Sequence, residues 1–209
     1  MKALIFDLDG VLVFTDKYHY KAWKMIADKL GIPFDEKKNN RLRGVSRMES
    51  LNIILENSTY DFSLEEKEIL AEEKNEYYRK LLGTMTPGDV SPEVRKTLKE
   101  LRSRGHKLAI GSSSRNTKYI LEKVELEDYF DAVSDGTNIT RSKPDPEVFE
   151  KAAEFILEDP HNCIVVEDAR AGVDAGKAAG MTVAGIGEAS AYEKTDYPID
   201  SFAELLNIN

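Results

Sequence analysis

The sequence has almost no cysteine and lacks a long run of apolar residues. Cys163 is the only cysteine among 209 residues, so an intrachain disulfide is impossible, and its position at the start of an apolar run predicts a buried thiol. Because no segment is long and apolar enough to span a bilayer, we expect no transmembrane helix. The short apolar run near the N-terminus is not followed by the small-residue cleavage site of a signal peptide, so we expect a cytoplasmic protein.

Positive charge is scarce relative to negative charge. The sequence contains 29 Lys and Arg but 38 Asp and Glu, which gives a formal net charge of −9. Nucleic acids and anionic membranes repel a surface of this sign, so we expect neither as a partner. A small anionic substrate would require a locally positive site, made by a metal ion or by a few converging Lys and Arg residues. We expect a monomer that acts on such a small molecule.

An acidic pair follows the first apolar run of the chain. The run Ala3–Phe6 is short and unbroken, which predicts a strand buried on both faces. Two residues apart in an extended chain, Asp7 and Asp9 project to the same side, and Gly10 allows the backbone to turn sharply after them. A solvated turn and a functional site explain this pair equally well, so other parts of the sequence must decide between them.

Residues 15–83 carry helical signals and no strand signal. Apolar side chains recur at helical spacing over 17–30, which predicts an amphipathic helix. Ser46 and Ser63 each have a glutamate three residues later, the spacing of a capping box, and so predict the starts of two more helices. We therefore predict an α-helical domain in this part of the chain.

Beyond the turn at Pro87-Gly88, strands and helices alternate. Ser91-Pro92 predicts the start of a helix with proline in its first turn. Short apolar runs separated by helical segments predict four further strands, at 107–110, 130–133, 164–166 and 181–184. This alternation is typical of an α/β fold, and we predict a Rossmann-like, doubly wound parallel sheet core over residues 1–14 and 88–209. The helical segment is then an inserted α-helical cap domain over 15–87, including its linkers.

Three of the predicted strands end in polar clusters. The clusters are Asp7 with Asp9, the serines Ser112–Ser114, and Glu167 with Asp168. In a parallel sheet these strand ends gather at one edge, where ligands bind. Converging carboxylates repel one another unless a cation is present, and hard oxygen ligands favour Mg²⁺. Two alternatives stay open, namely that Asp168 is only a helix N-cap and that the serines are a solvated cap.

A lysine completes the set of motifs. Lys143 precedes Pro144, which favours an extended backbone. Alone it indicates a surface lysine, but near a metal ion and a hydroxyl loop it would hold phosphate. Together with Phe6–Gly10, Ser112 and Glu167-Asp168, it resembles the four motifs of the haloacid dehalogenase-like superfamily of phosphotransferases. The resemblance covers the whole chain and implies a Rossmann-like core with an inserted cap.

The resemblance implies a role for each motif residue. Asp7 is expected to be the nucleophile that becomes an aspartyl-phosphate, and Asp9 is expected to be the general acid and base. Ser112 and Lys143 are expected to bind the transferring phosphoryl group. Dehalogenases of the superfamily lack an acid at the position of Asp9, which favours phosphoryl transfer here. The expected Mg²⁺ ligands are Asp7, Asp9 through its carbonyl, Glu167 and Asp168.

The predicted cap resembles that of a sugar-phosphate mutase branch of the superfamily. In that branch the residue matching Arg47 holds the distal phosphate of a bound bisphosphate, and the residue matching His19 couples sugar binding to cap closure. Ser114 and Asn116 would help to seat the non-transferring phosphate. The expected substrate-binding residues are Thr15, His19, Trp23, Gly44, Val45, Ser46, Arg47, Ser50, Lys74, Ser113, Ser114, Arg115 and Asn116.

Four of these cap residues also have simpler explanations. His19 could be an ordinary residue of a helix surface, and Trp23 a core residue whatever the function. Arg47 and Lys74 could be solvated helix charges. Phe14, where relatives often have an acid, departs from the pattern of the superfamily. Ala169 departs from it as well, because a hydroxyl is common at that position.

The resemblance implies a reaction and leaves two alternatives. The implied reaction is the reversible conversion of β-D-glucose 1-phosphate to glucose 6-phosphate, primed by β-glucose 1,6-bisphosphate. The first alternative is a phosphatase of the same fold that acts on a small sugar phosphate or on phosphoglycolate. The second is a non-catalytic phosphosugar-binding protein, and the presence of both Asp7 and Asp9 argues against it.

Overall fold

A computed structural model of the chain describes residues 3–42 and 46–208. Its strands and helices follow one another in this order: β1 (Ala3–Phe6), α1 (Asp16–Lys29), α2 (Glu36–Asn40), α3 (Arg47–Leu55), α4 (Leu64–Leu82), α5 (Pro92–Ser103), β2 (Leu108–Gly111), α6 (Thr117–Lys123), β3 (Ala132–Ser134), α7 (Glu147–Phe155), β4 (Cys163–Glu167), α8 (Arg170–Ala178), β5 (Thr182–Gly185) and β6 (Tyr197–Pro198). Short 3₁₀ turns lie between several of these elements.

The six strands form one parallel sheet in the order β3-β2-β1-β4-β5-β6. β1 is central, because Phe6 is aligned with Ile110 of β2 on one side and with Val166 of β4 on the other. All four residues of β1 are buried, as expected for an apolar run in a strand covered on both faces. The parallel sheet and its alternating helices confirm the predicted α/β, Rossmann-like fold.

Local sequence signals correctly predicted the starts of several helices. At the start of α4, Ser63 Oγ accepts a hydrogen bond from the Glu66 amide (3.2 Å), and the Glu66 carboxylate accepts one from the Ser63 amide (2.8 Å). Ser46 Oγ accepts from the Glu49 amide in the same way at α3. Pro92 lies in the first turn of α5. These starts are correct because a helix cap depends on residues only three positions apart.

Two short elements were not predicted from the sequence. Helix α2 has five residues and buries none of them, and strand β6 consists of two exposed residues. Neither therefore has the apolar periodicity from which a helix or a strand is recognised.

The chain divides into two compact units, the segment Thr15–Thr84 and the residues on either side of it. The first unit contains α1 to α4, and Trp23 and Leu51 belong to its apolar core. Trp23 is therefore a core residue, as its simpler explanation required. The second unit contains the sheet, and Phe149 and Val165 belong to a core cluster packed within it.

Cys163 is a free, buried thiol, as predicted, and its burial raises its pKa to about 11, so it is not a thiolate at neutral pH. None of the helices within residues 3–42 and 46–208 combines the length and the apolar character that crossing a bilayer requires.

Candidate active site

The sheet order brings the three polar strand ends together. Because β1 lies between β2 and β4, Asp7 follows the central strand, with Ser112 at the end of one neighbour and Glu167 at the end of the other. The Asp7 amide donates to the Val166 carbonyl (2.9 Å), which extends the pairing with β4 as far as the acid. The gathering of these residues at one edge therefore follows from the strand order.

A tight turn follows the acidic pair. Gly10 has a φ of +91°, and its amide donates to the Val13 carbonyl (2.7 Å), while the Val13 amide donates to the Leu8 carbonyl. A Cβ at Gly10 would lie 2.0 Å from Asp168 Oδ2. Glycine is thus required both by the backbone conformation and by the proximity of this carboxylate. The turn that follows the acidic pair therefore does not argue against a functional site, because it leaves space for the carboxylate of a third acid, Asp168.

Lys143 lies inside the acidic cluster. Its ammonium donates to Asp7 Oδ1 (2.5 Å) and to Glu167 Oε1 (2.7 Å), and it lies 4.5 Å from the centre of the Phe149 ring. Only 10% of the side chain is exposed, so the explanation as a surface lysine is wrong. Burial lowers the pKa of Lys143, but the two carboxylates outweigh this effect and raise it, which keeps the side chain charged.

The carboxylates of the cluster repel one another. Burial, opposed by the Lys143 ammonium and reinforced by the charges of Glu167 and Asp9, raises the pKa of Asp7 to about 7. Burial also raises the pKa of Asp168 to about 8, with Glu167, Asp7 and Asp9 adding to the shift. The cluster therefore combines four carboxyl groups with one ammonium group.

Glu167 is held by backbone groups at the start of α8. Its Oε2 accepts hydrogen bonds from the amides of Asp168 and Ala169, both at 2.9 Å. Ala169 is the N-cap residue of α8 and makes no side-chain cap. The explanation of Asp168 as the helix N-cap is therefore wrong, and the Glu167 carboxylate satisfies these amides instead.

The four carboxyl groups of the cluster suit a hard divalent cation in their chemistry and charge, although they are not arranged around a common point. Among residues 3–42 and 46–208, no three His, Cys, Asp or Glu side chains are grouped so that they could hold a metal ion as they stand. One oxygen of Asp7 and one oxygen of Glu167 instead accept hydrogen bonds from the Lys143 ammonium. The oxygen-only donors and their mutual repulsion fit Mg²⁺, and the metal site stays a prediction.

Gly172 leaves the space that the Glu167 carboxylate occupies. A Cβ at Gly172 would lie 1.8 Å from Glu167 Oε1. We expect Gly172→Ala to lower the free energy of unfolding by about 1–3 kcal/mol, because the overlap outweighs the better helix propensity of alanine. Urea denaturation measures the change.

Gly88→Ala is the matched control for this substitution. A Cβ at Gly88 would meet only Thr86 Oγ1, at an ordinary 3.5 Å. The variant should therefore be as stable as the parent protein to within about 0.5 kcal/mol. A Gly172→Ala protein that is more stable than the parent would show that Glu167 moves away at no cost.

The loop after β2 carries the predicted phosphoryl-binding serines. Ser112 is only 3% exposed, so it is not a solvated cap. Its amide donates to the Ser134 carbonyl (3.1 Å), and its Oγ accepts from the Ser114 amide (3.3 Å). The Lys143 amide donates to Ser113 Oγ (3.3 Å). The hydroxyl loop and the lysine loop are therefore joined directly, although the sequence separates them.

The segment after β3 supports the same loop and was missed in the sequence. The Gly136 amide donates to the Ser114 carbonyl (3.1 Å), and Arg115 Nε donates to the Gly136 carbonyl (3.2 Å). A Cβ at Gly136 would lie 2.5 Å from the Ser113 carbonyl oxygen. Asn116 is buried, and its backbone N–H donates to Ser114 Oγ. Asp135 and Gly136, which follow the predicted strand 130–133 after one serine, were the available signal.

Glu147 anchors the loop that carries Lys143 and was also missed. One of its oxygens accepts hydrogen bonds from the amides of Thr140 (3.0 Å) and Arg141 (2.8 Å), and the other pairs with Lys151 (2.9 Å). The bond from Lys151 and these amide bonds lower the pKa of Glu147 to about 2. This carboxylate therefore stays ionised and joins residues 140–141 of the loop to the start of α7.

Three predicted substrate-binding residues of the helical unit surround a tyrosine that was not predicted. Lys74 Nζ lies 2.9 Å from His19 Nδ1 and 4.5 Å from the centre of the Tyr78 ring. The same ring stacks on His19 at 4.1 Å, and the Tyr78 hydroxyl donates to Thr15 Oγ1 (3.0 Å). Lys74 also lies 4.9 Å from the centre of the Trp23 ring. The structure thus assembles three of the predicted residues around Tyr78, and a fourth, Trp23, contacts one of these three.

Burial controls the charges of His19 and Lys74. It lowers the pKa of His19 well below its usual value, and Lys74 and Arg47 lower it further. The imidazole is therefore neutral, and its Nδ1 is hydrogen-bonded to Lys74 Nζ. Burial also lowers the pKa of Lys74 to about 7, with Arg47 contributing. Lys74 is 3% exposed, so its explanation as a solvated helix charge is wrong.

Arg47 is held by two residues of α4. Its guanidinium donates to Glu72 Oε2 (3.3 Å) and to Asn75 Oδ1 (3.0 Å). The side chain is 31% exposed, so it is accessible to solvent as well as hydrogen-bonded. Of the other predicted residues nearby, Ser46 caps α3 and Ser50 is buried. The predicted binding residues Gly44 and Val45 lie outside the described part of the chain.

Known proteins with similar sequences and folds define the family. A family model described as haloacid dehalogenase-like hydrolase matches residues 1–180. The chain therefore belongs to the haloacid dehalogenase-like hydrolase family.

Individual members of the family are similar to almost the whole chain. β-Phosphoglucomutase of Bacillus subtilis (strain 168) is 40% identical over 207 residues, which are 98% of this chain and 92% of that protein. The phosphorylated carbohydrates phosphatase of Thermotoga maritima is 34% identical and matches 87% of this chain and 82% of its own length. The crystal structure of β-phosphoglucomutase from Clostridium difficile matches with a TM-score of 0.89 and 42% identity, covering 98% of this chain and 93% of that one.

Proposed function

We propose that this protein is a β-phosphoglucomutase, which interconverts β-D-glucose 1-phosphate and glucose 6-phosphate through β-glucose 1,6-bisphosphate. The observation that carries this proposal is the similarity to β-phosphoglucomutases over 98% of the chain, which includes the helical unit Thr15–Thr84. The edge of the sheet supports the chemistry, because the reaction needs a nucleophile, a proton donor and a phosphate-binding cation, and Asp7, Asp9 and Lys143 are close enough there to interact.

In this proposal Asp7 exchanges the phosphoryl group with the sugar. An Asp7 oxygen forms a bond to phosphorus while the bond between phosphorus and the sugar oxygen breaks, and Asp9 gives its proton to that oxygen. The glucose 6-phosphate formed from the bisphosphate then leaves, a molecule of β-glucose 1-phosphate takes its place, and Asp9 removes the proton from its C6 hydroxyl. That hydroxyl then attacks phosphorus and frees Asp7. Lys143 and Ser112 hold the oxygens of the transferring group.

Mg²⁺ is the proposed cofactor. The residues that would hold it are Asp7, Asp9 through its carbonyl, Glu167 and Asp168. When bound, the ion would offset the repulsion between the Asp7 carboxylate and the phosphate. The proposal is supported by the oxygen-only donor set and by the burial of Asp7 and Asp168 beside other carboxylates, which raises the pKa of both.

The helical unit is proposed to be the cap of the enzyme. It is inserted between Phe14 and Met85, shortly after the acidic pair in the sequence. A mutase must protect its aspartyl-phosphate from water until a sugar phosphate accepts the phosphoryl group, and a cap that closes only on sugar phosphate would do so. Arg47 would bind the non-transferring phosphate. The cluster of His19, Lys74, Tyr78 and Thr15 would contact the sugar.

A single assay tests the proposed function. The protein is supplied with β-glucose 1-phosphate, Mg²⁺ and a trace of β-glucose 1,6-bisphosphate, and both glucose 6-phosphate and free phosphate are measured. We expect glucose 6-phosphate to be the main product and its formation to stop in EDTA. Mostly free phosphate would instead indicate a phosphatase, the activity named for the Thermotoga maritima relative. No turnover of any phosphate ester would indicate a binding protein.

A further inference from the structure

In the structure, the Arg47 guanidinium is paired with the carboxylate of Glu72, which belongs to the same helical unit. Glu72 Oε2 accepts from one guanidinium nitrogen, and Asn75 Oδ1 accepts from another. Asn75 Nδ2 in turn donates to Glu72 Oε1 (3.2 Å), so both oxygens of the carboxylate have partners in this network. A carboxylate and a phosphate offer the guanidinium the same kind of acceptor. The two anions therefore compete for the same donors.

We propose that Glu72 sets the affinity of the enzyme for sugar phosphate by competing with the substrate phosphate for Arg47. This inference rests on the proposed function, in which Arg47 binds the non-transferring phosphate. To bind, the phosphate must replace Glu72 at the guanidinium and approach a neighbouring carboxylate that repels it. Glu72 thus weakens substrate binding and, by the same competition, favours product release.

The exposure of the pair determines how large the effect should be. The side chains of Arg47 and Glu72 are 31% and 64% exposed, so water and salt screen their attraction. An exposed ion pair can be replaced at little cost, so Glu72 adjusts the affinity and does not block the site. Arg47 also lowers the pKa of Lys74 and His19, so its positive charge acts on the buried group as well.

The neighbouring glutamate provides a matched control. Glu73 pairs with Lys29 (2.6 Å) and accepts from the Tyr77 hydroxyl (3.2 Å), and none of its described contacts involves Arg47. Glu72→Gln and Glu73→Gln therefore remove the same charge from adjacent positions of the same helix. Only the first removes a competitor of the phosphate.

Steady-state kinetics with β-glucose 1-phosphate at low and high salt test the inference. We expect Glu72→Gln to lower KM about two- to fivefold, the range of an exposed ion pair, with kcat changed less than about twofold. The decrease in KM should shrink at high salt. Glu73→Gln should leave KM unchanged. Arg47→Gln should raise KM by about tenfold or more, because a charged donor is lost.

The variants separate failure of the inference from failure of the proposed function. If Arg47→Gln raises KM but Glu72→Gln behaves like Glu73→Gln, the competition is refuted while the role of Arg47 stands. If Arg47→Gln leaves KM unchanged, the proposed role of Arg47 is refuted, and the inference with it. A higher KM in Glu72→Gln would also refute the competition, because it would show that Glu72 positions Arg47 for the phosphate.

Discussion

Asp7→Asn is expected to abolish phosphoryl transfer, with kcat falling by roughly 10⁴-fold or more. The amide has the shape of the carboxylate but is too weak a nucleophile to attack phosphorus. In the proposed mechanism this side chain carries the phosphoryl group, so no other residue would replace it. Lys143 should stay in place, because its second bond, to Glu167, does not involve Asp7. The variant should therefore be folded and inactive.

Two measurements test the Asp7 prediction. Turnover of β-glucose 1-phosphate reports activity, and labelling with radioactive bisphosphate reports the phosphorylated enzyme, which the variant should not form. Asp174→Asn is a suitable control, because Asp174 is a surface residue of α8 whose partners are Lys194 and Tyr192. It should retain normal activity and labelling. An Asp7→Asn protein that still turns over substrate would refute the assignment of Asp7 as nucleophile.

Lys143→Met is expected to reduce both activity and stability. The substitution keeps much of the side-chain volume but removes the ammonium that lies between Asp7 and Glu167. Loss of one cation that stabilises a transferring group reduces kcat by about 10²–10³-fold. Two buried carboxylates also lose their partner, so we expect the free energy of unfolding to fall by about 3 kcal/mol at pH 8.

The pH dependence of this loss follows from the pKa of each group. The pKa of Lys143 is raised above its unfolded value near 10.5, so the ammonium is charged at both pH 5 and pH 8, and the difference between the two pH values comes from its partner Asp7. Asp7, with a pKa of about 7, is protonated at pH 5 and ionised at pH 8. The variant should consequently lose less stability at pH 5, where the proton replaces the missing cation.

Urea denaturation in EDTA at the two pH values measures this difference. Lys177→Met is the control, because Lys177 pairs with Asp196 at the surface and 37% of its side chain is exposed. Its removal should cost less than about 1 kcal/mol at either pH. Equal losses for the two variants would show that the ammonium of Lys143 does not compensate the buried charges.

Features that depend on neighbouring residues could be predicted from the sequence. The strand β1 follows from four consecutive apolar residues, and the start of α4 follows from Ser63 and Glu66, which are three positions apart. The acidic pair was visible for the same reason. Helix α2 and strand β6 could not be predicted, because they bury no side chain and so leave no apolar pattern.

The support of the candidate site was much less visible in the sequence. Gly172 and Gly136 matter because a carboxylate or a carbonyl from elsewhere in the chain occupies the space of a side chain there. Glu147 matters because three bonds from a loop six or seven residues earlier converge on one of its oxygens. Tyr78 matters because it lies on the ring of His19. None of these contacts has a characteristic spacing.

The sequence by itself determined the strand with its acidic pair, the capped helices, the α/β class and the motifs of the family. These depend on residues close together in the chain, where hydrogen bonding and apolar periodicity act locally. Only the tertiary structure decided that Lys143 is buried against Asp7, 136 positions earlier, and that Glu72 holds Arg47. The strand order and the packing of α3 with α4 create these contacts, because burial and charge act between side chains that are neighbours in space.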